Sequence, residues 1–281
     1  MSTISSASRP GRLFVVSTPI GNLADLSHRA VAVLREVSAV LAEDTRHTRV
    51  LLDHYDVRTP MVPLHEHNEA RSTPAIVARL AAGEDLALVS DAGTPLLSDP
   101  GSRLVAAAVE AGIAVVPVPG ASALLAALVA SGLGADRFTF FGFPPRKGRE
   151  RADVLAEVVG LPHTAVLYEA PARVADTLAE LAAADPDRPA VVARELTKQF
   201  EDIRRGTLAE LAAYYSVTPP RGEVVMMLAG RSLGAPTEEE LRSRARALRA
   251  DGATPREVVR RLMAEAGAAR NLAYRLAHES E

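Results

Sequence analysis

The chain has 281 residues, of which 48% are hydrophobic and 24% are charged, as in an ordinary globular protein with a sizeable core. The net charge of −3 gives no overall attraction to nucleic acid, and the absence of cysteine excludes disulfides and thiolate metal sites. No apolar stretch approaches the roughly 20 residues of a membrane span, and the stretch MSTISSASRPGR lacks the apolar middle of a signal peptide. We therefore expect a cytoplasmic protein with a disordered tail over residues 1–12.

Short apolar runs alternate with helical patterns through the first half of the chain. Strands are predicted over residues 13–16, 37–43, 85–90, 113–118 and 137–143. Helices are predicted over residues 26–36, 71–82, 101–111 and 120–131. This alternation predicts an α/β domain with a mainly parallel sheet over residues 13–143.

The composition changes after Phe143, where prolines, a glycine and four cationic residues predict a linker over residues 144–151. A second α/β domain is predicted over residues 152–230, with strands at 164–169, 189–195 and 223–230. Residues 231–281 form a predicted C-terminal helical region. In it Thr237 and Glu240, and then Thr254 and Glu257, have the spacing of a capping box.

Four polar loops follow predicted strands of the first half. They cover residues 18–22, 43–47, 90–101 and 119–122. Ligands of parallel sheets bind at the carboxyl ends of the strands, and glycines let the backbone approach them closely. One such loop alone would be an ordinary turn, but four after successive strands predict a ligand cleft. None has the pattern of a Rossmann or P-loop nucleotide site.

Nine motifs occur in order between Leu13 and Gly230: STPIGNLADLSHRA, AEDTRHT, LHEHNE, LVSDAGTPLLSDPG, PVPGASA, FGFPP, YEAPAR, ARELTK and RGEVVMML. Together they resemble the tetrapyrrole (corrin/porphyrin) methylase superfamily, and within it the branch that methylates small-subunit ribosomal RNA. The chain departs from the family at Ala121, where proline is frequent. The resemblance implies two α/β domains with a ligand cleft between them, plus a small C-terminal helical extension.

The same resemblance implies an activity and a set of binding residues. It implies 2′-O-methylation of a cytidine ribose in the decoding centre of 16S ribosomal RNA, with S-adenosylmethionine as methyl donor, by an enzyme that forms a homodimer. The residues it implies at the donor are Pro19, Ser90, Asp91, Gly93, Thr94, Ala121, Ser122, Ala123, Leu167, Tyr168 and Met227. The long loop over residues 90–101 is thus expected to cradle the donor.

Three residues are candidates for the chemistry, which requires alignment and help in deprotonating a weakly acidic hydroxyl. Glu43 follows the second strand, where an acidic helix N-terminus is the alternative interpretation. Glu169 ends a strand of the second half and could instead be an ion-pair partner of Arg173 or Arg194. Lys198 is one of two lysines and, unlike arginine, can lose its proton when buried. We hypothesise that it contacts the acceptor ribose or phosphate.

No metal is predicted, because the pair His65 and His67 would need further ligands. Contact with RNA is assigned to the basic linker residues Arg146, Lys147, Arg149 and Arg151. Arginines of the C-terminal helices are the weaker candidates, since they also suit a solvated helix face. Two alternatives stay open: a small-molecule tetrapyrrole methylase of the same fold, and a non-catalytic protein that binds a nucleoside or RNA.

Overall fold

The computed structural model describes residues 9–231 and 238–279, which form two compact units. The first unit runs to Val159 and resumes over His163–Ala229, and the second comprises Gly160–Pro162 and the chain from Gly230. Strands of the first unit are β1 (Arg12–Val16), β2 (Ala39–Ala42), β3 (Met61–Pro63), β4 (Leu86–Val89), β5 (Ala114–Val118), β6 (Phe138–Phe140), β7 (Thr164–Glu169), β8 (Pro189–Arg194), β9 (Asp202–Thr207) and β10 (Val224–Leu228). Its helices are α1 (His28–Glu36), α2 (Thr45–His54), α3 (Glu66–Ala81), α4 (Ser102–Glu110), α5 (Ala123–Ser131), α6 (Arg149–Gly160), α7 (Val174–Ala184) and α8 (Leu208–Val217).

The first sheet is parallel throughout and has the strand order β3-β2-β4-β1-β5. Along β1, Phe14 packs on the side of α1 and α2, whereas Leu13 packs on the side of α3 and α4. Because helices cover both faces, the central strands are continuous apolar runs, which is the pattern that predicted them. The carboxyl ends of β1, β2, β4 and β5 bring the four polar loops to one edge of the sheet.

The second sheet is mixed and has the order β6-β7-β10-β8-β9. Only β6 and β7 are parallel, and the remaining pairs are antiparallel. Helix α5, which follows the last strand of the first sheet, packs Leu124 and Leu128 against Val166, Val191 and Met227 of the second. The two halves therefore share one apolar cluster.

The structure differs from the sequence prediction at several elements. Strands β3 and β9 were not predicted. Helix α2 was considered only as the alternative interpretation of Glu43, and the structure contains it, with Asp44 as its N-cap. Helix α6 begins at Arg149, inside the predicted linker. Arg12, assigned to the tail, is the first residue of β1, and its Nη2 contacts Asp85 Oδ2 at 2.6 Å. Residues 1–8 of the predicted tail, and Thr237 of the first capping box, lie outside the described residues.

The second unit contains α9 (Glu238–Ala250), α10 (Pro255–Ala266) and α11 (Arg270–His278). Leu241, Val258, Leu262 and Leu276 form its buried core. Helix α10 begins with the predicted capping box, since the side chains of Thr254 and Glu257 each accept a backbone hydrogen bond from the other residue. In the part of the chain that the structure describes, no helix is long and apolar enough to cross a bilayer.

Candidate active site

A cavity of about 400 Å³ opens where the loops of the first sheet face the second sheet. Its apolar wall includes Ile20, Leu97, Phe143, Leu196 and Val225. Its polar groups include the side chains of Glu43, Asp91, Asp99, Ser122 and Glu223. The cavity thus combines an apolar surface with a set of carboxylates.

Hydrogen bonds connect three of the polar loops at this cavity. The backbones of Thr18 and Gly93 exchange two hydrogen bonds, of 2.8 and 3.1 Å. The hydroxyl of Thr94 lies 3.0 Å from Ser17 Oγ and donates to the carbonyl of Ala121 at 3.1 Å. The loops after β1, β4 and β5 are therefore fixed relative to one another.

The long loop over residues 90–101 contains unusual backbone conformations. Leu96 and Ser98 have φ values of 76° and 74°, in the left-handed region that glycine adopts freely and other residues adopt at a cost of about 1–3 kcal/mol. Gly101, with φ 120°, is the N-cap of α4. The second turn of the loop therefore does more than start a helix, because it also brings Asp99 to the cavity.

Three carboxylates of the cavity lie close enough to perturb one another. Burial, together with the negative charges of Glu43 and Asp91, raises the pKa of Asp99 to about 6, although a hydrogen bond from Ser90 opposes the shift. Burial and the charge of Asp91 likewise raise the pKa of Glu43. Among the described residues none of the three has a salt-bridge partner. A cationic ligand would relieve this repulsion.

Six of the predicted donor residues line the cavity: Asp91, Gly93, Thr94, Ser122, Ala123 and Tyr168. Pro19 and Ser90 line a smaller neighbouring cavity of about 40 Å³. Ala121 takes part through its carbonyl, which accepts from Thr94.

Leu167 and Met227 are fully buried and do not line the main cavity. Strand alternation explains Leu167, since Val166 and Tyr168 face α5 and Leu167 faces the opposite side. Met227 packs in the cluster around α5, together with Val225 of the same strand, which lines the cavity.

Glu169 borders the cavity, but its carboxylate is occupied by structural partners. Oε1 contacts Arg173 Nη2 at 2.5 Å, and Oε2 accepts from Thr177 at 2.7 Å and lies 3.8 Å from Arg151 Nη1. The side chain is fully buried. The ion-pair alternative with Arg173 is therefore what the structure contains, and the carboxylate has no oxygen left to act as a catalytic base.

Lys198 lies beside the cavity and is held by two carboxylates. Its Nζ contacts Glu195 Oε1 at 2.8 Å and Glu223 Oε2 at 3.1 Å, and Glu223 lines the cavity. Burial opposes the charge, but the hydrogen bonds with Glu195 and Glu223 outweigh it and raise the pKa of Lys198. The ammonium therefore stays protonated, which contradicts the premise that this lysine loses its proton. The stem of Lys198 packs on Gly21, where an added Cβ would lie 2.3 Å from Lys198 Cγ.

The four basic residues predicted to contact RNA do not share one environment. Arg146, Lys147 and Arg149 are exposed. Arg151 is 7% exposed and binds Glu180 at 2.9 Å, Thr177 at 2.8 Å and the carbonyl of Pro145 at 3.2 Å. It is a buried structural arginine, and its assignment to RNA contact is wrong because no guanidinium face is left to reach a phosphate.

Sequence reasoning missed several residues that the structure brings to the cavity. These are Leu97, Asp99, Phe143, Leu196 and Glu223. The signal for two of them was present, because Asp99 lies in the loop expected to cradle the donor and Glu223 precedes β10 in the motif RGEVVMML. His65 and His67 have ring centroids 6.0 Å apart. Within residues 9–231 and 238–279, no group of three or more histidine or acidic side chains could hold a metal ion.

Residues 12–212 match the family model described as Tetrapyrrole (Corrin/Porphyrin) Methylases. The fold is that of a tetrapyrrole methylase. A solved structure of uroporphyrin-III C-methyltransferase from Thermus thermophilus, complexed with S-adenyl homocysteine, is similar with a TM-score of 0.57. That likeness covers 78% of this chain and 97% of the other at 22% identity, and it concerns the fold alone.

Two curated relatives narrow the assignment. The ribosomal RNA small subunit methyltransferase I of Synechocystis sp. is 46% identical over 275 residues, which are 96% of this chain and 99% of the relative. The enzyme of the same name from Xylella fastidiosa is 53% identical over 226 residues, which are 79% of this chain and 83% of the relative. The chain therefore belongs to the tetrapyrrole methylase family, in its branch of ribosomal RNA small subunit methyltransferases I.

Proposed function

We propose that this chain transfers a methyl group from S-adenosylmethionine to the ribose 2′-oxygen of a cytidine in the decoding centre of 16S ribosomal RNA. Family membership over nearly the whole length of the chain carries the proposal. The cytidine, its 2′-oxygen and the decoding centre come from the motif resemblance. A small-molecule acceptor is the weaker alternative, because the named relatives act on ribosomal RNA.

The residues of the cavity fit such a donor. Carboxylates of Asp91 and Asp99 suit its cationic groups, while Ile20, Leu97 and Phe143 offer apolar contacts. Gly93 has a φ of 78°, which favours glycine, and it leaves the loop backbone open to close approach by the donor. An added Cβ would lie 3.2 Å from Cγ2 of Ile20, a residue of the apolar wall. The cavity volume of about 400 Å³ lies within the usual range for small-molecule sites.

A bound donor supplies an electrophilic methyl group on a sulfonium, so the protein's main tasks are alignment and proton removal. Glu43 is the residue we assign to receive the proton of the 2′-hydroxyl, since it lines the cavity and its pKa is raised by burial. Lys198 is assigned to hold the ribose or its phosphate as a cation. Glu169 is a positioning residue that fixes the end of β7 beside Tyr168.

The direct test is transfer of labelled methyl groups to small ribosomal subunits purified from cells that lack this protein, followed by mapping of the modified nucleotide. We expect one 2′-O-methylcytidine in the decoding region. Transfer to a base, or to a tetrapyrrole only, would refute the proposal.

Lys198 distinguishes a charge role from a proton-transfer role. We expect Lys198→Arg to keep most activity, and Lys198→Gln to raise KM for the subunit by about tenfold, because the position needs a cation. Methyl transfer measured at several subunit concentrations gives both constants. Arg58→Gln is the matched control, since it removes one positive charge from a side chain that is 75% exposed and is assigned to neither the cavity nor the RNA. If Lys198→Arg were as inactive as Lys198→Gln, a simple charge role would be wrong.

The exposed part of the basic linker predicts salt-dependent RNA affinity. We expect the double variant Arg146→Gln/Lys147→Gln to weaken subunit binding and to lower the slope of log K against log salt by about 2. Filter binding at several salt concentrations measures this slope. Arg256→Gln/Arg260→Gln on α10 removes two exposed charges elsewhere and should leave the slope unchanged. An equal effect of both variants would contradict a specific role of the linker.

The remaining expectations concern assembly and compartment. A homodimer is implied by the resemblance, and the exposed apolar residues Leu125 and Val129 of α5 would suit cover by a second copy. A ribosomal substrate in bacterial relatives supports a cytoplasmic location.

A further inference from the structure

A second cavity, of about 240 Å³, lies between β9, the end of α8 and the loop that leads to β10. We call it the arginine pocket. It is lined by Arg194, Asp202, Arg204, Tyr214, Tyr215, Thr218, Pro219, Pro220 and Arg221. Three guanidinium groups thus face one carboxylate, which gives the pocket an excess of positive charge. The methyl-transfer proposal uses none of these residues.

Two buried donors of this pocket lack an acceptor within the described part of the chain. Tyr215 is 2% exposed, and in residues 9–231 and 238–279 neither its hydroxyl nor the buried Nε of Arg204 has a hydrogen-bond partner. The only ion pair of the pocket that the described residues contain is loose, with Arg194 Nε 3.9 Å from Asp202 Oδ2. Buried donors without partners are uncommon in native proteins and cost free energy, so an acceptor from outside the chain would stabilise both groups.

The chemistry of these donors selects an oxyanion. Burial raises the pKa of Tyr215, so its hydroxyl remains a donor at neutral pH. The guanidinium of Arg204 lies 3.7 Å from the ring centroid of Tyr214, which holds it in place by a cation–π contact. Guanidinium groups that converge with a hydroxyl suit a phosphate better than a single carboxylate, because a phosphate offers more acceptor oxygens.

The position of the pocket indicates where such a phosphate comes from. Arg194 directly follows Ala193, and Arg221 directly precedes Gly222, and both neighbours line the main cavity. Successive side chains of a strand face opposite sides, so Ala193 faces the main cavity and Arg194 faces the other side of the second sheet. The two cavities thus lie on either side of the ends of β8 and β10. We propose that the arginine pocket binds a backbone phosphate of the RNA, near the nucleotide whose ribose enters the main cavity. This inference rests on the proposed function for the identity of the RNA.

The test measures binding and methyl transfer separately, with small ribosomal subunits from cells that lack this protein. We expect Arg204→Gln/Arg221→Gln to weaken subunit binding by about tenfold and to lower its salt slope by about 1–2. Donor affinity should not change. Arg58→Gln, an exposed arginine of the first sheet's half, is the matched control and should have no effect.

Tyr215→Phe separates a ligand role from a structural one. Because the hydroxyl has no partner among the residues that the structure describes, its removal should leave the melting temperature unchanged or raise it, yet weaken subunit binding about threefold. Unchanged binding in both Arg204→Gln/Arg221→Gln and Tyr215→Phe would overturn the inference.

Two further arms identify the source of the anion. If the variants bind protein-free 16S RNA normally but bind the intact subunit weakly, an acidic ribosomal protein occupies the pocket and the inference is wrong. If titration with inorganic phosphate shows binding that Arg204→Gln abolishes while subunit binding is unchanged, the ligand is free phosphate and the inference is also wrong. A wild-type protein that binds the subunit but transfers no methyl group would overturn the proposed function alone.

Discussion

Replacement of Glu169 by alanine should lower the free energy of unfolding by about 3–5 kcal/mol, the usual cost of removing one partner from a buried ion pair. Glu169 is fully buried and binds Arg173, Arg151 and Thr177. Its loss leaves the 8%-exposed side chain of Arg151 with Glu180 as its one anionic partner among the described residues. For a unit of this size, each kcal/mol corresponds to a fall of about 2–4 °C in melting temperature.

Urea and thermal denaturation measure this effect. Glu180→Gln is the matched control, since it removes another carboxylate from the same arginine, but one whose side chain is 48% exposed. We expect it to cost less than about 1 kcal/mol, as exposed ion pairs usually do. Equal losses for the two variants would show that burial does not set the energetics of this network.

Asp99 should make the affinity for the donor depend on pH, and its ionised form should lower the stability of the folded protein. The folded protein holds the pKa of Asp99 at about 6, above the ordinary value of 3.8, because of burial and the charges of Glu43 and Asp91. The folded state therefore binds this proton more tightly than the unfolded chain does. Ionised Asp99 lowers stability above pH 6, and this cost disappears as the pH falls through 6 towards 4.

We expect Asp99→Asn to stabilise the protein by about 1 kcal/mol at pH 8, after allowance for solvent screening, and to have little effect near pH 4. Affinity for S-adenosylmethionine should fall by about tenfold at pH 8, because a carboxylate that faces a cation is lost. In the wild type the affinity should fall between pH 8 and pH 5, and in the variant this dependence should be shallower. Calorimetric titration and thermal denaturation across this range measure both quantities.

The exposed carboxylate variant Asp153→Asn controls for a change of net charge. A variant at Asp99 that loses affinity and stability together at pH 8 would contradict the opposition between the two. A wild-type affinity that is constant from pH 5 to pH 8 would show that Asp99 does not face the donor's charge.

The parallel sheet could be predicted because its strands are buried on both faces and read as plain apolar runs. Strand β9 could not, since its sequence DIRRGT is polar and it lies at the edge of a mixed sheet. Helix α6 was missed in part for a similar reason, as its first turn follows prolines and carries the charges of a linker. The local composition of these segments is that of polar loops, although the structure contains a strand and a helix there.

The site residues that lie in loops after strands could be predicted. The residues whose role depends on a partner distant in the sequence could not. Asp91, Gly93 and Ser122 follow strands whose ends must meet, so their convergence follows from the topology. Arg151 looked like one more surface arginine, because nothing near it in the sequence indicates Glu169 or Glu180. The resemblance implied that both Leu167 and Tyr168 contact the donor, although alternate residues of a strand face opposite sides.

Because Gly21 contacts Lys198, a substitution at one of these distant positions limits which residues the other can accept. A methyl group at position 21 and the stem of Lys198 would occupy the same space, with 2.3 Å between the added Cβ and Lys198 Cγ. Gly21 also has a φ of 148°, which side chains rarely adopt. In any set of functional variants, a larger residue at position 21 should therefore appear only with a shortened or displaced residue at 198. Such a pair would give up the ammonium that Glu195 and Glu223 now hold.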